Sequence, residues 1–260
     1  MDEGRTKRIV LATVGFLAIL VVWQGIVWVF SPPAFLLPPP TKVIERALDL
    51  GANWTPHLWA TVYGTLLGFA IAVAAGFLLG VLIVHSRVAS AVITPPLLLL
   101  QIVPKMALAP IILVWAGIGM ASRLTVVALV TFFPVVISTI TGLQSTAPEV
   151  IDLARSMHMT RWQMLWKIRF PNALPHIFSG LRVSSTLAVI GSIIAEFVGS
   201  QEGLGYLMLS AGFTLDTALQ FAALALVTIF GVIFYGTIVL AERLSMPWYL
   251  EEVRLVELAT

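Results

Sequence analysis

The sequence predicts an all-α integral membrane protein with six transmembrane helices. Composition points there first: 59% of the 260 residues are hydrophobic and only 11% are charged, where soluble domains carry roughly 25% charge. Hydropathy patterning points there next. Apolar runs near the roughly 20 residues that a helix needs to cross a bilayer fall at 9–30, 57–84, 89–116, 121–143, 173–197 and 217–241. The spacing of the runs completes the argument. No segment between them exceeds about 28 residues, too short to bury a core of its own. Residues 1–260 therefore read as a single transmembrane domain.

The first span follows Arg5, Lys7 and Arg8, as a signal peptide would. Its apolar run exceeds the roughly 7–15 residues of a signal h-region, and no small-x-small site precedes Ser31, so it is expected to stay as an anchor. Residues 31–40, SPPAFLLPPP, hold five prolines, which forbid a helix there. A short amphipathic helix is expected from Thr41 to Leu50, with Val43, Ala47 and Leu48 or Leu50 on one face. The third span contains Pro95, Pro96, Pro104 and Pro110 with Gln101 and Lys105 among them. Such a helix is bent and faces protein or water rather than lipid. A charge at mid-depth costs on the order of 3 kcal/mol, so Lys105 and Gln101 are candidates for the lining of a translocation pathway. The alternatives for Lys105 are snorkelling or an ion pair with Glu196 or Asp216. Glu196 closes the fifth span and reads as an interfacial carboxylate at the outer end, or as part of a gate or an inter-subunit contact. Gly199, Gly203 and Gly205 after it imply a tight outer turn. Trp248 and Tyr249 in the tail suit an interfacial aromatic belt.

The loop 144–172 is the polar exception. Thr146-x-x-Glu149 and Thr160-x-x-Gln163 both read as capping boxes, with a turn expected at Met157-His158-Met159 between two short helices. Glu149, Asp152 and Arg155 stand beside Val150, Leu153 and Ala154, a small mixed face suited to docking, with Ala154 at the point of closest approach. Trp162, Leu165 and Trp166 form a bulkier stripe expected at the membrane interface. With the N-terminus in the cytoplasm, eleven of the fifteen Lys and Arg residues, Arg254 among them, fall inside and three (Lys42, Arg46, Arg123) outside. Both termini and the 144–172 loop are then cytoplasmic.

Several chemistries find no support. There is no Cys, hence no disulfide or thiolate site. His57, His85, His158 and His176 show no metal-ligand spacing, so no metal is expected. No G-x-x-x-x-G-K-[ST] occurs, so the chain cannot cradle nucleotide phosphates in a P-loop. No nucleophile elbow is present, and no catalytic residue is assigned. The net charge of +2 and pI of 9.2 reflect basic loops facing anionic lipid, not nucleic acid.

The loop resembles the EAA loop of permease subunits of bacterial ABC importers. Asp152, Leu153 and Ala154 stand in its first three places, His158 in its Gly place, Ile168 near its end and Pro171 at its proline. Asp for Glu, Leu for Ala and His for Gly are departures. Histidine tolerates positive φ better than most residues, so the turn is expected to survive. LLPPPTKVIERALDL, QIVPKMALAPIILVWAGIG, FFPVVISTITGLQS, AEFVGSQEGLGYLM and ERLSMPWY are similar to the nitrate/sulfonate/taurine branch. The P-K-x-A-L-A-P run is most like permeases for vitamin precursors such as riboflavin or hydroxymethylpyrimidine.

The resemblance implies a type I ABC importer (MetI-like) permease fold in the bacterial inner membrane. It implies two permease chains, here a homodimer, that form the pathway for a small organic solute. Separate ATPase subunits would use the ATP, and this chain would hold no cofactor. An extracytoplasmic solute-binding protein would deliver the solute. Glu149, Asp152, Leu153, Ala154, Arg155, His158 and Pro171 would contact the ATPase, and Gln101, Lys105 and Glu196 would line the pathway. An ion-coupled secondary carrier is the alternative. It would need inverted repeats and intramembrane acids, and neither is visible.

Overall fold

The computed structural model describes residues 3–247, with residues 3–9, 12 and 16 described at the backbone only. The expectations placed on Trp248, Tyr249 and Arg254 lie outside the described residues. Within them the chain is helical almost throughout. Five helices are long and apolar enough to cross a membrane: α1 (Glu3–Phe30), α3 (Trp54–His85), α6 (Met120–Gln144), α9 (Phe170–Gly199) and α11 (Thr217–Ser245). A sixth crossing results if one bent pair counts as a single span. That pair is α4 (Arg87–Ile102) and α5 (Ala109–Ala116), joined through a 3₁₀ turn at Lys105–Leu108. The short helices are α2 (Pro40–Asp49), α7 (Pro148–Ser156), α8 (Arg161–Met164) and α10 (Leu204–Phe213).

The third span is thus not one helix, as 89–116 implied, but two pieces bent by 87°. Pro104 explains the position of the break. It cannot donate its backbone nitrogen, and it forces Val103 out of the helical region; Val103 sits at φ −60, ψ 131. Pro95 and Pro96 are carried inside α4, and Pro110 sits in the first turn of α5, where its missing N–H costs nothing.

Helix α6 is the hub, packed against α3 on one side and α9 on the other. In lipid the hydrophobic effect does not drive helices together, so close approach through small residues must. The buried stripe of α3 is Thr61, Gly64, Thr65, Gly68, Ala72, Gly76 and Gly80. A Cβ on Gly64, Gly68, Gly76 or Gly80 would lie 2.6–3.0 Å from Arg123, Val127, Val135 or Thr139 of α6 respectively. Each step of four on α3 meets a step of four on α6, so the two helices run parallel in fixed register. α9 runs antiparallel: Gly142 meets Ala173 and His176, Ser138 meets Gly180, and Ser184 donates to the carbonyl of Thr131 at 3.1 Å.

Helix α2 forms as expected, with Pro40 at its first position, Val43 buried and Leu50 packed on Leu219 and its neighbours. Leu48 is exposed, so Leu50 is the residue on the buried face. Arg46 ties α2 to α11 through Asp216 at 2.8 Å, and the same aspartate caps α11 by accepting from the Leu219 N–H. The turn after Glu196 leads into α10, which lies between the fifth and sixth apolar runs.

Candidate functional site

The 144–172 loop folds as two short helices at one end of α6 and α9. Thr160 makes the expected capping box: the Gln163 N–H donates to its hydroxyl at 3.2 Å, and the Gln163 side chain accepts from the Thr160 N–H at 2.9 Å. Thr146 does not. The N-cap of α7 is Ala147, with Pro148 as the first helical residue and no side-chain cap. Proline there fixes the entry and removes one orphan donor, and Thr146 instead accepts from Asn172 at 3.4 Å.

α7 ends in a Schellman motif. The Met159 N–H reaches the Ala154 carbonyl at 3.1 Å and the His158 N–H reaches the Arg155 carbonyl at 2.9 Å. His158 is left-handed at φ 57, the conformation the turn demands. The faces of α7 differ from expectation at one place. Ala154, expected at the surface of closest approach, is only 2% exposed and packs into this chain. The outward face is Val150, Leu153 and Met157, flanked by Glu149 and by the exposed Asp152–Arg155 pair at 3.0 Å. Among the bulkier stripe, Trp162 and Trp166 are exposed and edge-to-face. Leu165 is not at the surface; it is buried with Leu143, Ala173 and Ile177. It opens a π-turn, Leu165–Arg169, that runs into Pro171 in the first turn of α9. A widened turn fits a proline that cannot donate to the preceding turn.

At the break in the third span, the Lys105 ammonium donates to the Gln101 carbonyl at 2.7 Å and lies 4.7 Å from the centre of the Phe133 ring. It closes a C-terminal carbonyl of α4, a favourable place for a cation. Gln101 is exposed and Lys105 half-buried. Neither proposed ion pair of Lys105 forms. Asp216 is taken by Arg46, and Glu196 by Arg123 at 3.9 Å.

Glu196 does not line an open passage within this chain: it is 1% exposed. Its carboxylate accepts from the Gly205 N–H at 2.7 Å and from the Thr61 hydroxyl at 2.9 Å, with Ser192 at 3.4 Å. Thr61 in turn accepts from the Leu204 N–H at 2.8 Å, and the Gly203 N–H donates to His57 Nδ1 at 3.2 Å. Gly203, at φ 118, is required here, because any Cβ would fall on the Glu196 carboxylate, 2.3 Å from its carbon. Arg123 completes the knot. It is 7% exposed and donates to the carbonyls of Ala60 and Glu202 at 3.0 Å and to the Ser200 hydroxyl. In the sequence Arg123 stands out only as an outer charge. No local signal distinguishes it, since its partners come from α3, α9 and the turn after α9. Above the knot lies an open hollow of about 760 Å³ with Trp59, Tyr63, Ile118, Met120 and Gln201 on its walls. It stands at the opposite end of α6 from α7, about 37 Å away along a helix of this length.

A family model described as "Binding-protein-dependent transport system inner membrane component" matches residues 69–245. The riboflavin transport system permease protein RibX of Chloroflexus aurantiacus is 37% identical over 238 residues, 90% of this chain and 88% of that protein. The formylaminopyrimidine transport permease protein ThiX of Halalkalibacterium halodurans is 31% identical over 245 residues, 94% of this chain and 98% of that protein. Among solved structures, the inward-facing MetNI methionine ABC transporter superposes with a TM-score of 0.64 at 19% identity, covering 76% of this chain and 98% of that one. That likeness speaks to the fold alone.

Proposed function

This chain belongs to the family of binding-protein-dependent transport system inner membrane components, and from that premise we propose that it forms one half of an import pathway for a small aromatic heterocycle, powered by ATPase subunits seated on α7. It is a multi-pass inner-membrane permease subunit and not itself an enzyme. The observation that carries the docking role is the outward face of α7. Val150, Leu153 and Met157 form an exposed apolar stripe beside Asp152 and Arg155, on a short helix pinned by a Schellman turn. Glu149 and His158 border that face. Pro171 acts behind it by fixing the start of α9. Ala154 acts from within, as the small residue that seats α7 on its own chain. The ATPases face the cytoplasm, as do both termini. A solute-binding protein delivers to the opposite end, near the Arg123–Glu196 knot. Two copies enclose the passage, with Gln101 and Lys105 at the broken third span exposed to it, and Glu196 holds the outer turn in place. The chain needs no cofactor.

The substrate class rests on the relatives named for a flavin and a pyrimidine, and the indole and phenol of Trp59 and Tyr63 beside the outer hollow suit a planar ring. Two measurements test the reading. Leu153→Asp puts a charge at the centre of the exposed stripe; it should leave the folded permease intact and abolish co-purification of the ATPase. Full retention of the ATPase would refute the docking face. A deletion strain screened for uptake of riboflavin, pyrimidine precursors, taurine, alkanesulfonates and nitrate should lose uptake of a heterocycle. Loss confined to a sulfonate or nitrate would replace the substrate class and leave the permease role standing.

A further inference from the structure

A second cavity lies at the α7 end, a groove of about 870 Å³ between the end of α3, the start of α4 and the 155–169 stretch. Four guanidinium groups line it: Arg87, Arg155, Arg161 and Arg169. They come from four separate elements, so their convergence is a product of the fold. Arg155 is held by Asp152 at 3.0 Å. Among the described residues, no carboxylate lies within 4 Å of Arg87, Arg161 or Arg169. Nε of Arg169 is buried without an acceptor. A buried donor of this kind is costly while unmet, and like charges gathered in one concavity repel. The first turn of α4 adds to the same field. Ser86 caps it by accepting from the Ala89 N–H, and Ser86, Arg87 and Val88 present the positive end of the 16-residue helix to the groove. Met164 and Leu165 supply an apolar floor.

We propose that this groove is a binding site for a phosphoryl anion, carried either by a phospholipid headgroup or by a free phosphate compound. Guanidinium forks match phosphate oxygens in bidentate geometry, and a helix N-terminus adds backbone donors. The volume exceeds that of a bare phosphate ion and accommodates a glycerophosphate. The apolar floor and the exposed Trp162 beside Arg161 suit the boundary between headgroup and acyl chain. A bound anion would join the end of α3 to the start of the loop that carries α7. The inference does not depend on what docks on α7.

The test uses the full-length permease in detergent and reads thermal stabilisation and retained ligand by native mass spectrometry. The probes are phosphatidylglycerol against phosphatidylcholine, and inorganic phosphate against chloride at matched ionic strength. Stabilisation by phosphatidylglycerol alone assigns the site to lipid, and stabilisation by inorganic phosphate assigns it to a soluble anion; either supports the proposal. Arg87→Gln with Arg169→Gln should weaken binding by about tenfold or more, since one charge-assisted contact is worth roughly that factor. Lys42→Gln with Arg243→Gln removes the same charge elsewhere and should change it little. If the glutamine pair misfolds, Arg87→Lys with Arg169→Lys keeps the charge, loses the fork, and should still weaken binding measurably. Failure of both probes to bind, or equal loss in the two double glutamine variants, overturns the proposal. So does a groove variant that binds both probes normally but loses a protein partner, since the groove would then be a protein contact.

Discussion

His158 shows how a single backbone angle can be tested. At φ 57 a histidine is tolerated, glycine is free of strain, and a β-branched residue is strongly disfavoured. His158→Gly should leave the melting temperature and uptake unchanged or slightly raised. His158→Val should cost about 1–2 kcal/mol and reduce uptake; equal melting of the two variants would show that the turn does not depend on a left-handed residue. Lys105 offers the contrasting case of a residue whose contacts are local and partly wet. Lys105→Met removes one bond to the Gln101 carbonyl, worth about 1 kcal/mol or less. The variant should fold, assemble and bind the ATPase, with uptake altered. Loss of folded protein would instead make Lys105 a structural brace.

The parallel contact between α3 and α6 is where the architecture is most sensitive at the level of elements. Val127 has no exposed surface and cannot retreat, so a Cβ at Gly68, 2.7 Å from the valine Cβ, must push the helices apart. Gly68→Ala should destabilise by about 1–3 kcal/mol and lower the yield of monodisperse protein on size-exclusion chromatography. Gly236 in α11 has nothing within 4 Å of its Cβ position. Gly236→Ala should be neutral or stabilising by up to about 1 kcal/mol. If the two substitutions behaved alike, glycine would matter here for flexibility and not for close approach. The break between α4 and α5 belongs to this scale too. The prolines announced a bend, but an 87° turn needed Val103 to leave the helical region as well.

Across the whole molecule, the Glu196–Arg123 knot joins α3, α6, α9 and the turn into α10 at the end far from α7. Glu196→Leu leaves Arg123 buried without a counter-ion and the Gly205 N–H without an acceptor. It should cost about 3–5 kcal/mol, measured as a fall in melting temperature. Glu196→Gln retains an acceptor for Gly205 and Thr61 and should cost less. Adding Arg123→Met to Glu196→Leu should recover part of the loss, because the uncompensated charge is gone. A simple sum of the two single effects would mean that the pair is not coupled. An import cycle requires the α7 end and this end to move in alternation, and α6 spans both, so a loosened knot should lower uptake more than ATPase binding.

The sequence by itself determined the helical class, the apolar segments and several of the local turns. Solvation by lipid is a property of each segment alone, and caps and prolines act within four residues, which is why the Thr160 box, the His158 turn and helix α2 were legible. Facing was not. Spans that are apolar all round carry little periodic stripe to show which side meets protein. Only the tertiary structure decided that Ala154 and Leu165 turn inward, that Thr146 yields the cap of α7 to Ala147 and Pro148, that Arg123 and Glu196 find each other from different spans, and that four arginines from separate elements share one groove. Those outcomes depend on which helix faces can approach closely, and that is set by the glycine and alanine contacts of α3, α6 and α9 taken together.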